Sequence, residues 1–445
     1  MKSKMKRIGN IWHKIISPSN LLAAFELSIM NKRNRRATKY AMLHKQEILS
    51  KIRQDLMNHS FSTSKYRIKI IHEPKERKIY ILPLWPDRIV QHALMLVIEP
   101  YLNKRLDDKS MCCRIGKGIH AGSIETAKCI RKYKYCWKAD IRKFYPTISH
   151  EILSGIMHKI FKDNNVLWLL DDIITSVDGD TNLPIGNYVS QWLGNLYLDK
   201  MDKFIRHNLH VHGYVRYCDD FTIYSNNLNE LLNWKKKVTD FIHDTLKQEL
   251  SKDQIIDLEH GGEVDFLGYV HSKKTIKLRQ STKRRFAKQI RYLFYALHHK
   301  ELPLDIIKSK IGSICGWIKY CNSKKLAEKW ELEKLICEVN FASEHGVERL
   351  IKWRKSEGWG VDKPLNGRDY KHMFSRMSRK NVIDKLIEKR IKDTLRERVR
   401  REIEARQKRN GIVKIRIIEQ ERKRNAKLKK QWLDNANNVH PLLDE

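Results

Sequence analysis

The chain has 445 residues, with 89 Lys and Arg against 52 Asp and Glu, a formal net charge of +37. A hydrophobic share of 41% with 9% aromatic residues suffices to build a core and excludes a globally disordered chain. An excess charge of this size predicts a polyanionic partner, nucleic acid ahead of an anionic membrane surface.

From the N-terminus, MKSKMKRIGNIWHKIISPSN is basic but lacks the apolar core of a signal peptide. The most apolar stretches, 21–30 and 93–98, are too short to span a bilayer. No membrane partner is expected, and the reading is a soluble cytoplasmic protein. Cysteines stand at 112, 113, 129, 136, 218, 315, 321 and 337 without a CxxC pair. They read as reduced thiols, neither disulfides nor a zinc site.

Residues 1–53 hold thirteen Lys and Arg against two acids, and 380–430 hold twenty against eight. Both segments carry the marks of helices. In the second, the surplus favours a phosphate-binding helix over a solvated one laced with i,i+4 pairs. Between them, 66–71 and 78–82 bracket HEPKER and predict a β-hairpin. A helix is predicted over 87–102, a buried strand over 134–141 and a helix over 151–161. A long amphipathic helix is predicted over 186–207. Two short strands, 213–217 and 221–224, flank an acidic turn, with a helix over 231–250 and a strand over 264–270. Beyond 281 the pattern is helical and basic. The interleaving is α+β, not a regular βαβ series.

Chemistry concentrates at Tyr217-Cys218-Asp219-Asp220 in VRYCDDFTIY. Alternating apolar residues on both sides put the acidic pair at a hairpin tip. Adjacent carboxylates resist burial unless a cation offsets their repulsion, and a divalent metal is the usual solution. Most such pairs are simply solvated, and Asp107-Asp108 and Asp171-Asp172 are further examples in this chain. Asp140 adds a second acid, closing the strand KYCWKADI ahead of Arg142, Lys143, Phe144 and Tyr145. Carboxylates from neighbouring strands suit two Mg²⁺ ions held against a triphosphate; the plainer role for Asp140 is a strand-end cap.

In order, KADIRKFY, LPIGNYVSQ, YCDD and DFLGYV resemble the catalytic half of a reverse transcriptase, over roughly residues 20–330. The resemblance implies a right-hand polymerase: fingers and palm over 61–270, after a basic helical segment over 1–60. A helical thumb follows over 271–345, and a basic helical C-terminal extension binding RNA over 346–445. It implies Asp140, Asp219 and Asp220 as the catalytic acids. Mg²⁺ would be held by Asp140, Ile141, Asp219 and Asp220, with two ions expected. Tyr145 becomes the ring beneath the incoming sugar; a bulky group there collides with a 2′-hydroxyl and favours deoxynucleotides. Gly186 and Gln191 line the nucleotide, with Gly permitting close backbone approach unless it merely precedes a helix.

Arg77, with Lys69 as partner, would grip the triphosphate, where cations stabilise the departing pyrophosphate. Lys252 falls where the family places a general acid, though the usual Lys-Thr is replaced here. In the thumb, Arg284, Arg285, Lys288 and Arg291 recur at helical spacing with Arg279 and Lys283, suiting a phosphate backbone. Among nearby aromatics, more are expected in the core than on a stacking surface.

DRIVQH (87–92), RIGKGIH (114–120) and Ser-Gln after the glycine resemble diversity-generating retroelement enzymes and the bacterial defence-associated, "unknown group" reverse transcriptases. Cysteine in YxDD and the long basic extension favour the defence group. That resemblance implies dNTPs as substrates, a structured noncoding RNA template, a cDNA product and action against phage. The non-catalytic alternative is a maturase-like RNA-binding protein.

Overall fold

The computed structural model describes residues 6–72 and 76–356, with side chains up to residue 352. The expected C-terminal extension over 346–445 lies mostly, and the basic helix over 380–430 wholly, outside the described residues. The chain divides into two compact units, each assembled from separate stretches. One takes the described residues up to 106 together with 143–198. The other takes 107–142 and 199–356.

In the first unit, the helical character expected of the basic segment over 1–53 takes the form of separate helices, among them Pro18–Ile29, Arg36–Leu43 and Lys45–Met57. The first is capped by Ser17, whose hydroxyl accepts from Asn20 N, with Pro18 at the first helical position. β1 (Arg67–Ile71) and β2 (Arg77–Ile81) form the expected antiparallel hairpin. Helix Ile89–Arg105 is apolar nearly all round and buries Val90, Leu94, Met95 and Ile98. The helix expected over 186–207 runs from Tyr188 to Lys203 and ends in a wider turn, Phe204–Asn208.

The second unit is built on a four-stranded sheet in the order β4-β5-β3-β6, every neighbour antiparallel. Its strands are β3 (Tyr135–Ile141), β4 (Gly213–Tyr217), β5 (Asp220–Ser225) and β6 (Leu250–Asp257). Trp137, Ala139 and Ile141 point to one face, where Trp137 meets Phe221 edge-on with ring centroids 5.4 Å apart. On the other face Cys136, Val215, Tyr224 and Ile256 join Met111, Ile130 and Phe266 in a buried cluster.

Two expectations are corrected here. The helix expected over 231–250 spans Leu228–Leu246, and β6 follows it as an unexpected strand. LSKDQIID carries four consecutive polar, exposed residues, so the alternation that marks a strand is missing. The single strand expected over 264–270 is a hairpin of β7 (Val264–Phe266) and β8 (Tyr269–His271), with β9 (Ile276–Leu278) as third strand. Its turn, Leu267-Gly268, has φ of 58° and 81°, the two-residue form that glycine favours.

Helices Gln280–His298, Leu304–Ile318 and Leu332–His345 close the unit around Leu293, Leu297, Ile307, Ile311 and Leu335. Among the described residues no helix is long and apolar enough to cross a membrane.

Candidate active site

The antiparallel registers place four residues in one row across the sheet. Tyr217 on β4 pairs with Asp220 on β5, Asp220 with Asp140 on β3, and Asp140 with Lys252 on β6. Directly paired residues share a face, so both carboxylates and the lysine project from the same side. The next row reads Val215, Thr222, Lys138 and Gln254, and the third Gly213, Tyr224, Cys136 and Ile256. One face thus grades from buried apolar residues to an acidic end.

Asp219 sits on the two-residue turn between β4 and β5. The turn opens at Cys218 with φ 55° and is fastened to β3 by Ile141 N donating to Asp219 O at 3.2 Å. Asp140 accepts from Ser251 Oγ at 2.9 Å. Asp220 Oδ1 is buried with no hydrogen-bond partner, and Lys138 Nζ lies 3.9 Å from its other oxygen. Burial pushes the Asp220 carboxyl up to about 7; Lys138 opposes this, and the charges of Asp140 and Asp219 add to it. Lys138 also donates to Asp265 O at 2.6 Å, and Arg279 donates to Asp265 Oδ1 at 2.6 Å. Arg279, expected on a phosphate-binding face, is therefore engaged by the β7–β8 hairpin.

The other acidic pairs behave differently. Asp108 pairs with Lys117, Asp171 accepts from Ser154 and Asp172 from Thr63, each at 2.6 Å. These carboxylates are satisfied by protein. Asp220 Oδ1, by contrast, has no protein partner, which leaves it available to a cation. Among the described residues no three His, Cys, Asp or Glu side chains gather into a ready-made metal cage. The carboxylates stand in a row, which fits Mg²⁺, an ion that takes one or two carboxylates and completes its shell with substrate oxygens and water.

Sequence reasoning missed the support behind the turn. Arg216 is fully buried and donates to Asp202 Oδ1 at 2.7 Å and Oδ2 at 2.6 Å, to Ser110 Oγ at 3.0 Å and to Cys218 O at 3.0 Å. Tyr214 OH donates to the same carboxylate at 2.6 Å. Burial disfavours the guanidinium charge, but Asp202 more than offsets it. No local pattern announces this pair, because the partner lies fourteen residues away on a helix. The expectation of reduced cysteines is also corrected: Cys112 and Cys218 are joined in a disulfide across 106 residues, Cα atoms 5.5 Å apart.

The remaining expected residues belong to the first unit. Lys69 pairs with Ile79 and Arg77 with Ile71, which makes them diagonal neighbours on one face of the exposed β1–β2 hairpin. Phe144 is buried, as a core aromatic should be. Tyr145 beside it packs near Gly194, where a Cβ would lie 3.4 Å from the tyrosine ring. Gln191 is exposed early in the helix Tyr188–Lys203, and the Ser190 hydroxyl before it is buried without a partner.

Gly186 has φ 122°, and a Cβ there would lie 2.5 Å from Tyr80 O. Its close backbone approach is therefore to β2, where Tyr80 N donates to Ile185 O at 2.8 Å. Gly186→Ala is expected to destabilise the first unit by about 1–3 kcal/mol through clash and strain. Chemical denaturation reads this, and a change below about 0.5 kcal/mol, the usual size for an ordinary surface substitution, would contradict it.

In the second unit, Arg284, Arg285, Lys288 and Arg291 are all exposed on helix Gln280–His298. Phe286 and Leu293 line its buried side. Tyr292 and Tyr295 are 44% exposed, which puts more aromatic surface beside the cations than expected.

Asp140 and Asp220 thus share one row of the antiparallel sheet, with Asp219 on the adjoining turn. Residues 69–271 match the family described as reverse transcriptase (RNA-dependent DNA polymerase), so the chain carries a reverse transcriptase domain. The α+β, right-hand polymerase class expected from the sequence holds.

The chain is 23% identical over 318 residues to the group II intron-encoded protein LtrA of Lactococcus lactis subsp. cremoris, covering 54% of this chain and 53% of that protein. It is 25% identical over 122 residues to nuclear intron maturase 1, mitochondrial, of Arabidopsis thaliana, covering 27% and 16%. It thus spans about half the length of the first of these relatives. Apo telomerase from Candida tropicalis is similar at 13% identity and a TM-score of 0.43, over 72% of this chain and 67% of that one.

Proposed function

We propose that the protein is an RNA-directed DNA polymerase. The observation that carries the proposal is the cross-strand row of Asp220 and Asp140 beside Asp219, within a domain of the reverse transcriptase family. Asp140, Asp219 and Asp220, with Ile141 alongside, would hold Mg²⁺, which supplies activation of a primer 3′-hydroxyl and neutralises the departing pyrophosphate. Arg77 and Lys69, on one hairpin face, bind triphosphate oxygens. The Tyr145 ring excludes a 2′-hydroxyl. Lys252, paired with Asp140 in the sheet register, would give a proton to the leaving group.

Primer extension on an RNA template with dNTPs and Mg²⁺, by the full-length chain and its Asp219→Asn variant, tests this. Absence of extension, or extension unchanged by the substitution, overturns it.

The template we propose is a structured noncoding RNA, and the cDNA serves antiviral defence. The motif resemblance to the defence-associated group supports this finer reading. Sequencing RNA and cDNA that co-purify with the protein checks it; a template paired with a variable repeat would instead indicate a diversity-generating enzyme. The similarity to intron maturases supports a second reading, an RNA-binding protein that assists folding. That reading predicts RNA binding and no incorporation.

Two expected results follow from the site. In the metal-free protein Asp220 takes up a proton as pH falls through about 7. Its folded-state pKa is raised above the ordinary value of 3.8, so its proton stabilises the fold at low pH. That contribution fades as pH rises from about 4 to about 7. A cation must displace the same proton, so Mn²⁺ affinity should rise with pH and level off above about 7. Calorimetric titration reads this, and Asp220→Asn should flatten the pH slope.

On the thumb helix, replacing Arg284, Lys288 or Arg291 with alanine should lower the slope of log affinity against log salt by about one per phosphate contact. RNA binding measured at several salt concentrations checks it.

A further inference from the structure

Segment 109–112 runs alongside β4. Arg216 N donates to Lys109 O at 3.0 Å, Met111 N donates to Arg216 O at 2.8 Å, and Ser110 is the parallel bridge partner of Arg216. Two residues further along both chains, that register sets Cys112 opposite Cys218. Their Cα separation of 5.5 Å falls in the range that a disulfide spans. The pairing is a consequence of backbone hydrogen bonding and of the Arg216 clamp behind it.

A third sulfur completes the cluster. Cys112 is buried and Cys218 half-buried, but Cys113 is exposed, with its Sγ 3.2 Å from that of Cys112. Cys218 itself occupies, with φ 55°, a turn position that glycine adopts at less cost. A side chain is retained there, facing a second cysteine.

We propose that the Cys112–Cys218 bridge is a reversible modification site, formed and opened by exchange with a glutathione-class disulfide that enters through Cys113. The Cys113 thiolate attacks the small disulfide, forming a mixed disulfide and releasing one glutathione thiolate. Cys112 attacks the glutathionyl sulfur, taking over that group and restoring the Cys113 thiol. The Cys218 thiolate then attacks the Cys112 sulfur and releases the second glutathione. Two protein thiols lose two electrons and two protons, and one glutathione disulfide becomes two thiols. The closed bridge ties the turn bearing Asp219 to segment 109–112 and closes a long loop of the chain, which constrains the unfolded state.

The test uses the full-length protein, equilibrated with oxidised or with reduced glutathione, quenched with N-ethylmaleimide and digested for peptide mapping. Oxidation should yield a peptide pair joining 112 to 218, and reduction should leave both residues alkylated. The oxidised protein should melt at a higher temperature than the reduced one, a difference that Cys112→Ser removes. Cys113→Ser should slow bridge formation several-fold and leave its end point unchanged. Alkylation of both cysteines in both arms, or a bridge that reduced glutathione does not open in the folded protein, overturns the proposal. Equal rates with Cys113→Ser overturn the entry role of Cys113. None of these readouts requires nucleotide incorporation, so this inference and the polymerase proposal fail separately.

Discussion

Replacing Asp219 with asparagine lowers deoxynucleotide incorporation by about a thousandfold or more and leaves RNA affinity within about twofold. The substitution is nearly isosteric and falls on the turn between β4 and β5, so the sheet registers that position Asp140 and Asp220 should persist. What changes is charge at the acidic end of the face. No neighbouring carboxylate replaces it: Asp140 is hydrogen-bonded to Ser251, and Asp220 holds a proton until pH rises past about 7. The cations expected to hold RNA stand on helix Gln280–His298, on a different element of the second unit. Primer extension under single-turnover conditions gives the chemical step, and fluorescence anisotropy with labelled RNA gives binding. Incorporation within about tenfold of the parent would remove Asp219 from the chemistry; lost RNA affinity would point to misfolding.

Arg216→Met should cost about 3–5 kcal/mol of stability, the usual penalty for removing one member of a buried ion pair. Both partners have side chains fully shielded from solvent, so Asp202 would be left charged without a counter-ion. For a domain of this size each kcal/mol lowers the melting temperature by about 2–4 °C. The double replacement Arg216→Met with Asp202→Leu should recover much of that loss, since a buried pair exchanged for apolar residues is often neutral. It should not recover incorporation, because the donor to Cys218 O is still missing. Thermal melts with primer extension on the parent, single and double variants separate the two effects. Full recovery of incorporation in the double variant would show that Arg216 acts through stability alone.

Residues that act through local context were legible in the sequence. Tyr217 to Asp220 join two alternating strands whose pattern places the acids at a turn, and the β1–β2 hairpin was equally plain. Asp140 was legible because a buried apolar strand ends on it. What escaped depends on partners chosen by the fold. β6 has no alternation of its own, and only its pairing with β3 makes it a strand and puts Lys252 opposite Asp140. The Asp202–Arg216 pair and the Cys112–Cys218 pair join segments that nothing in their immediate sequence connects. Gly186 was expected to let the backbone approach a nucleotide; within the first unit the group it approaches is the Tyr80 carbonyl, a partner that nothing in its local sequence announces.

The two margins of the β4-β5-β3-β6 sheet are finished differently. The outer side of β4 is already engaged by segment 109–111. β6 leaves its outer margin to a run of Ser251, Lys252, Asp253 and Gln254, all exposed, with Asp253 paired to Lys235. A charged, weakly strand-forming edge discourages a second chain from docking onto it. The polarity that hid β6 from a pattern search therefore protects against edge-to-edge aggregation. A more regular, apolar β6 would be easier to recognise and more prone to self-association, and the lysine facing Asp140 belongs to that safeguard.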